Sequence, residues 1–264
     1  MSGIQAPDKE TMEACRLYVD NLIKPIHSLG KLEDIAVRLA GITGKIKPGK
    51  LNKAIIIMAG DTAVDGENKT GGKTSLTEVQ MVSRGLGTVS AVARTLGAPV
   101  YLIDVGLEQN TNDIEGVLTN KVVYGTHRGN PALDQDAVSA AISIGMSVAR
   151  TLAVQGIQAV GLGNIGERSL LSALGVTAAI MKKELQENSL KDGFSLHMDD
   201  VGNMANDPVS VLSRVGSAEI AGLFGLVVQA AREKIAIVFD NAVTGAAVLA
   251  AIEVYPEVRD YVFS

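Results

Sequence analysis

Short apolar, β-branched runs alternating with helix-length periodic segments constrain this chain more than any other feature. Ala54-Ile55-Ile56-Ile57-Met58-Ala59, within Leu51 to Ala59, is bounded by polar residues and reads as a strand buried on both faces. Similar runs follow at Pro99 to Val105, Lys121 to Tyr124, Gln158 to Leu162 and Ile235 to Phe239. Helical periodicity fills the intervals, at Leu76 to Leu96, Asp134 to Gln155, Glu167 to Glu187, Ser217 to Arg232 and Ala242 to Glu253. Strands joined through helices of this length imply right-handed crossovers, hence an α/β fold with a doubly wound, mostly parallel, Rossmann-like sheet. Ligands of such sheets bind at the carboxyl ends of the strands.

Two further helical patterns, Met12 to Ile23 and Leu29 to Leu39, precede the first strand and are separated at Pro25, with Ser28 able to cap the second. The expected organisation is a small helical lobe over 1–50 and a nucleotide-binding α/β core over 51–264. Long connections at Asp61 to Ser75 and Asn188 to Pro208 are of a length that in compact domains usually serves function.

Composition narrows the function classes. Apolar residues make up 47% of the 264 while aromatics make up 3%, so the core must be aliphatic. A net charge of -5 gives no electrostatic footprint for nucleic acid or an anionic membrane. Cys15 is the single cysteine and His27, His127 and His197 are scattered, which excludes an intramolecular disulfide and the usual zinc spacings. Met1 to Glu10 has no signal-type apolar stretch, and no apolar run reaches the roughly 20 residues of a membrane span. The expectation is a cytoplasmic protein without metal or cofactor, acting on small molecules and not on nucleic acid or membrane.

Several constellations could carry chemistry. Gly161-Leu162-Gly163-Asn164-Ile165-Gly166 has glycine spacing suited to a turn between a strand and a helix, where bare amides and a helix N-terminus can meet a phosphate. A dinucleotide site would also need an acid ending the next strand, and Glu184 and Glu187 fall instead in a helical pattern; a merely tight turn is the structural reading. Gly72-Lys73-Thr74-Ser75 resembles a triphosphate loop, but Glu67 stands where its first glycine should be, so a lid is the alternative. Asp61, Asp104 and Asp240 each directly follow an apolar run, placing three carboxylates on one rim, either for a ligand or as turn caps. His197-Met198-Asp199-Asp200 lacks a ligating partner in the sequence and reads as loop polarity.

Lys24-Pro25 followed by Ser28-Leu29-Gly30-Lys31-Leu32-Glu33 resembles the N-terminal signature of the nicotinate-nucleotide:dimethylbenzimidazole phosphoribosyltransferases. Ala59-Gly60-Asp61, Gln80-Met81-Val82, Asp104-Val105-Gly106, Gly125-Thr126, Gly161-Leu162-Gly163-Asn164, Val215-Gly216 with Glu219-Ile220-Ala221, and Asp240 with Tyr255-Pro256 agree in order, over roughly residues 22 to 264. The resemblance implies transfer of ribose phosphate from nicotinate mononucleotide to an aromatic base in cobamide lower-ligand synthesis, and a homodimer or a heteromer with a related chain. It implies that Gly161, Gly163, Asn164 and Gly166 hold the phosphate, that Gly216 and Ser217 border the nucleotide, that Asp240 lies near the ribose, and that Gln80 and Met81 line the aromatic-base pocket.

Departures from the family pattern fall on the chemistry. The family glutamate placed to take the acceptor's proton sits in a Gly-Glu-Gly segment expected beyond Ser264, and a second aligns with Ala159. Asp61-Thr62-Ala63-Val64 replaces Asp-His-Gly-Val, Ile165 and Gly166 replace two threonines, and the lysine of the second long connection has no counterpart. The catalytic group is therefore unassigned, with Asp61 as a candidate. A transferase with a changed substrate or a partner chain, a non-catalytic binding protein for a nucleotide, nucleoside or corrinoid-related ligand, and, on glycine spacing alone, an NAD-type dehydrogenase stand as the three readings.

Overall fold

A computed structural model describes residues 3–62, 73–124, 132–183 and 207–264. His127, His197, Asp199, Asp200, Gly125, Thr126, Glu184, Glu187 and residues 66–72 of the triphosphate-like loop lie outside them.

Six strands form one all-parallel sheet in the order β3-β2-β1-β4-β5-β6. They are β1 (Lys53–Gly60), β2 (Val100–Gly106), β3 (Val117–Thr119), β4 (Ala159–Ile165), β5 (Ala236–Val238) and β6 (Val262–Phe263). The strand order reverses between β1 and β4, the position where a crevice opens in folds of this class. There Ile55 pairs in register with Gly161, Ile57 with Gly163 and Met58 with Asn164. This is the doubly wound architecture that the alternating pattern implies.

The helices are α1 (Lys9–Asp20), α2 (Lys31–Thr43), α3 (Lys73–Ser83), α4 (Thr88–Leu96), α5 (Gln135–Val154), α6 (Ser169–Met181), α7 (Pro208–Val215), α8 (Ala218–Arg232) and α9 (Ala242–Val254), with a 3-10 turn over Pro256–Tyr261. On one face Ile56, Met58, Ile103 and Val160 meet the buried sides of α5, α6, α8 and α9 in the main core. On the other, Ile57, Ala59, Leu102 and Ile165 meet Val79 of α3, with Val82 and Val89 packed alongside. This second layer is apolar over β1 and β2 and stops short of β5, whose Val238 is 46% exposed.

α1 and α2 pack on each other around Cys15, Val19, Val37 and Ala40. Arg38 ties α2 to the chain end, donating to the Val262 carbonyl at 2.7 Å and stacking over the Phe263 ring.

Three expectations need correction. Leu76 to Leu96 is not one helix: Gly85, at φ 73°, and Gly87 break it into α3 and α4. Lys121 to Tyr124 is not a strand; β3 lies earlier, and Lys121 turns its ammonium onto Asp104 instead. The glycine segment is not a turn after a strand but most of β4 itself, because the ladder with β1 continues to Ala59 and Ile165.

Candidate functional site at the carboxyl edge of the sheet

Glycines in a parallel strand remove the side chains that would otherwise cover its face. Gly161 and Gly163 follow each other on the face of Ile55 and Ile57, so β4 exposes bare backbone beside the end of the α3 and α4 layer. A slot of about 340 Å³ results. Its floor is Gly161 to Ile165, its walls are Val82 and Val89, and its mouth holds Asp240 and Asn241. Asn241 caps α9, accepting from Val243 N and Thr244 N, both at 2.9 Å. Glu78 of α3 also lines the slot, and partial desolvation of its carboxyl there raises its pKa.

The slot therefore has aliphatic walls, two carboxylates and no cation among the described lining residues. A flat ring suits the bare strand; a phosphate beside Glu78 and Asp240 would meet like charge.

Beside it, the ends of β1 and β4 are stitched by buried polar groups. Asp61 accepts from Ser75 Oγ, from Glu108 N at 2.9 Å and from Glu167 N at 2.9 Å. Three donors on a carboxylate only 3% exposed make it a tether for three connections. Thr62 N donates to the Glu167 carbonyl, and Thr62 Oγ1 meets Ser172 Oγ at 3.0 Å. Gly166 closes the seam: a Cβ there would stand 1.9 Å from the Gly60 carbonyl oxygen, so its glycine serves close backbone approach.

Asp104 takes the capping role in full. It accepts from Gly106 N at 3.0 Å, Leu107 N at 2.9 Å and Thr111 Oγ1, and pairs with Lys121 Nζ at 2.8 Å, with both side chains buried. Nothing of it remains to hold a ligand.

The N-terminus of α8 enters the same edge. Gly216 ends α7, Ser217 occupies the N-cap of α8, and Glu219 stands in its first turn. Ser169 Oγ donates to Glu219 Oε1 at 2.8 Å. Burial pushes the Glu219 pKa up to about 7, with a smaller push from the Asp61 charge, against the pull of the Ser217 and Ser169 hydroxyls. Ser217 Oγ and Glu219 Oε2 are both buried, and the geometry completes a hydrogen bond for neither of them among the described residues.

The structure thus gathers Gly161, Gly163, Asn164 and Asp240 at the slot, and Asp61, Gly166, Gly216 and Ser217 at polar connections of the carboxyl edge. Gln80 is not brought to the slot. It faces the opposite side of α3, lining a separate groove of about 750 Å³ with Arg84, Asn110, Asp113 and Glu115, while Met81 is largely exposed. Glu78, Glu167 and Ser169 carry no motif of their own. Glu219 had two signals, its place in the Glu219-Ile220-Ala221 stretch that carries the resemblance and its being an acid in the first turn of a largely apolar helix.

A family model described as phosphoribosyltransferase matches residues 4–264. The nicotinate-nucleotide–dimethylbenzimidazole phosphoribosyltransferase of Alkaliphilus metalliredigens (strain QYMF) is 34% identical, covering 98% of this chain and 79% of the relative. Its namesake from Geobacter sulfurreducens is 31% identical, over 100% and 80%. The crystal structure of CobT from Thermus thermophilus superposes with a TM-score of 0.85 at 26% identity, covering 96% of this chain and 81% of that one. With a family model matched along nearly its whole length and relatives above 30% identity, this chain belongs to the nicotinate-nucleotide–dimethylbenzimidazole phosphoribosyltransferase family.

Proposed function

We propose that this chain transfers ribose 5-phosphate from nicotinate mononucleotide to an aromatic base of the benzimidazole class, as a step in cobamide lower-ligand synthesis. One observation carries the reading beyond family membership: the bare strand of β4 opens a slot with aliphatic walls at the reversal between β1 and β4. An acceptor ring fits between the Gly161–Gly163 backbone and the aliphatic walls of Val82 and Val89. Asp240 at the mouth would accept from ribose hydroxyls. The phosphate goes to the N-terminus of α8, where Gly216 and Ser217 border it and an unpartnered Ser217 Oγ can donate.

The acceptor's ring nitrogen attacks C1′, the bond from C1′ to nicotinate breaks with its electron pair on the leaving ring, and the acceptor N–H proton must be taken up. Among the groups lining the slot, Glu78 and Asp240 can take it. The resemblance also carries a homodimer or a heteromer, supported by the apolar surface of the first two helices and their link, where Leu17, Ile23, Ile26, Leu29 and Leu32 are exposed. A cytoplasmic location belongs to the same proposal, supported by the single cysteine.

Incubating the chain with nicotinate mononucleotide and a panel of benzimidazoles and phenols tests the reading. Nicotinate release that requires an acceptor supports it. A folded protein that binds the mononucleotide and releases nothing with any acceptor would favour the binding-protein reading instead.

A further inference from the structure

Glu219 holds a carboxyl where a carboxylate would face no cation among the described residues and would draw on little more than hydroxyl donors. The side chain is fully buried. The ion pairs among the described residues join other groups, and Oε2 has no hydrogen-bond partner there. An ionised carboxylate left so would be strongly disfavoured, and such groups take up a proton instead.

The protons around Ser169 point the same way. Its Oγ lies 3.2 Å from the Gly166 carbonyl oxygen and 2.8 Å from Glu219 Oε1, both acceptors if Glu219 is ionised. One hydroxyl carries one proton and can donate fully to only one of them. A protonated Glu219 resolves the conflict: its O–H donates to Ser169 Oγ, and Ser169 donates to Gly166. Gly60 fixes the other side, because a Cβ there would stand 2.6 Å from Glu219 Oε2. Among the described residues the titratable group facing this carboxyl is Asp61 on the β1 side, whose charge adds to the penalty on a second one. Ser169 of α6 and Ser217 of α8 contribute hydroxyls only.

We infer that Glu219 is a positioning residue held as a neutral acid: it donates through Ser169 to the Gly166 carbonyl, tying the first turn of α8 to the end of β4, and it leaves that turn uncharged to receive phosphate. The tie stands on geometry alone; the phosphate part rests on the transferase reading.

The test compares the wild-type protein with Glu219→Gln, which keeps the shape and a donor and cannot ionise, in thermal unfolding and transfer kinetics from about pH 5.5 to about pH 8.5. A pKa near 7 in the folded chain exceeds the ordinary glutamate value of 4.5. The stabilisation is therefore complete below about pH 4.5 and is lost as pH rises through about 7. The wild-type unfolding midpoint should fall across that window, and the Gln variant should lack this component. The wild-type KM for the mononucleotide should rise about tenfold per pH unit above about 7, with kcat little changed, while the variant's stays flat. Identical pH dependences in the two proteins overturn the inference. Should the variant not fold, a carboxyl-carbon NMR titration of the wild type decides: a glutamate titrating near pH 7 supports the neutral acid, and all glutamates titrating in the ordinary range refute it. Absence of transfer at every pH, with the unfolding difference intact, would sink the transferase reading and leave the neutral acid standing.

Discussion

Gly145 of α5 and Gly222 of α8 touch backbone to backbone: a Cβ built on Gly145 would stand 1.9 Å from the Gly222 carbonyl oxygen. Gly225 repeats the contact one turn on: a Cβ built there would stand 2.1 Å from the Ile142 carbonyl oxygen. This crossing explains why α5, the helix among the described residues long and apolar enough to cross a membrane, lies against the core. Gly145→Ala should force the helices apart and cost about 1–3 kcal/mol, lowering the urea midpoint with little change in slope. An unchanged midpoint would mean that the two helices do not cross at this point.

Asp104 and Lys121 form a buried pair whose partners saturate the carboxylate. Lys121→Met leaves the carboxylate buried without its cation, a change that typically costs about 3–5 kcal/mol. Changing both residues to apolar ones of similar size should recover part of the loss. Chemical denaturation of the single and double variants measures this, and a neutral single variant would contradict the pairing.

Gly163 floors the slot, and a Cβ there meets Ile57 Cγ1 at 3.1 Å, a side-chain atom able to give way. Gly163→Val should therefore leave the fold within about 1 kcal/mol of wild type, since valine suits a strand. Filling the slot should weaken binding of an aromatic acceptor by about 1–3 kcal/mol, a 10- to 200-fold effect. Calorimetry with a benzimidazole checks this; unchanged affinity together with an unchanged unfolding midpoint would move the acceptor elsewhere.

β1 and β2 were legible in the chain because they are apolar, mostly β-branched runs that fit between two layers. The bounds of α8 were equally plain, from Ser217 at its cap to Arg232 at its end. Short elements escaped: β6 spans two residues, and Pro208–Val215 sits at the edge of a segment that reads as a loop. Lys121 to Tyr124 misled because its residues favour strands, while the buried Asp104 charge claimed Lys121.

The site was harder to read. The glycine spacing shared by phosphate turns and by a bared strand does not distinguish them, and only pairing with β1 through Ile165 does. Gln80 and Glu78 sit two apart on α3, so a helix turns one toward the slot and the other away. Which of them faces β4 depends on how α3 lies on the sheet, and local sequence is silent on that. Glu219 and Ser169 are 50 residues apart and meet only through the fold.

The most direct test of the central claim follows the anomeric carbon by NMR while the chain acts on nicotinate mononucleotide with a benzimidazole acceptor. One nicotinate should be released for each new N-glycoside formed, with inverted configuration at C1′ and the 5′-phosphate retained. Release of free ribose 5-phosphate without a glycoside, or an anomeric signal that never changes, would contradict the transfer.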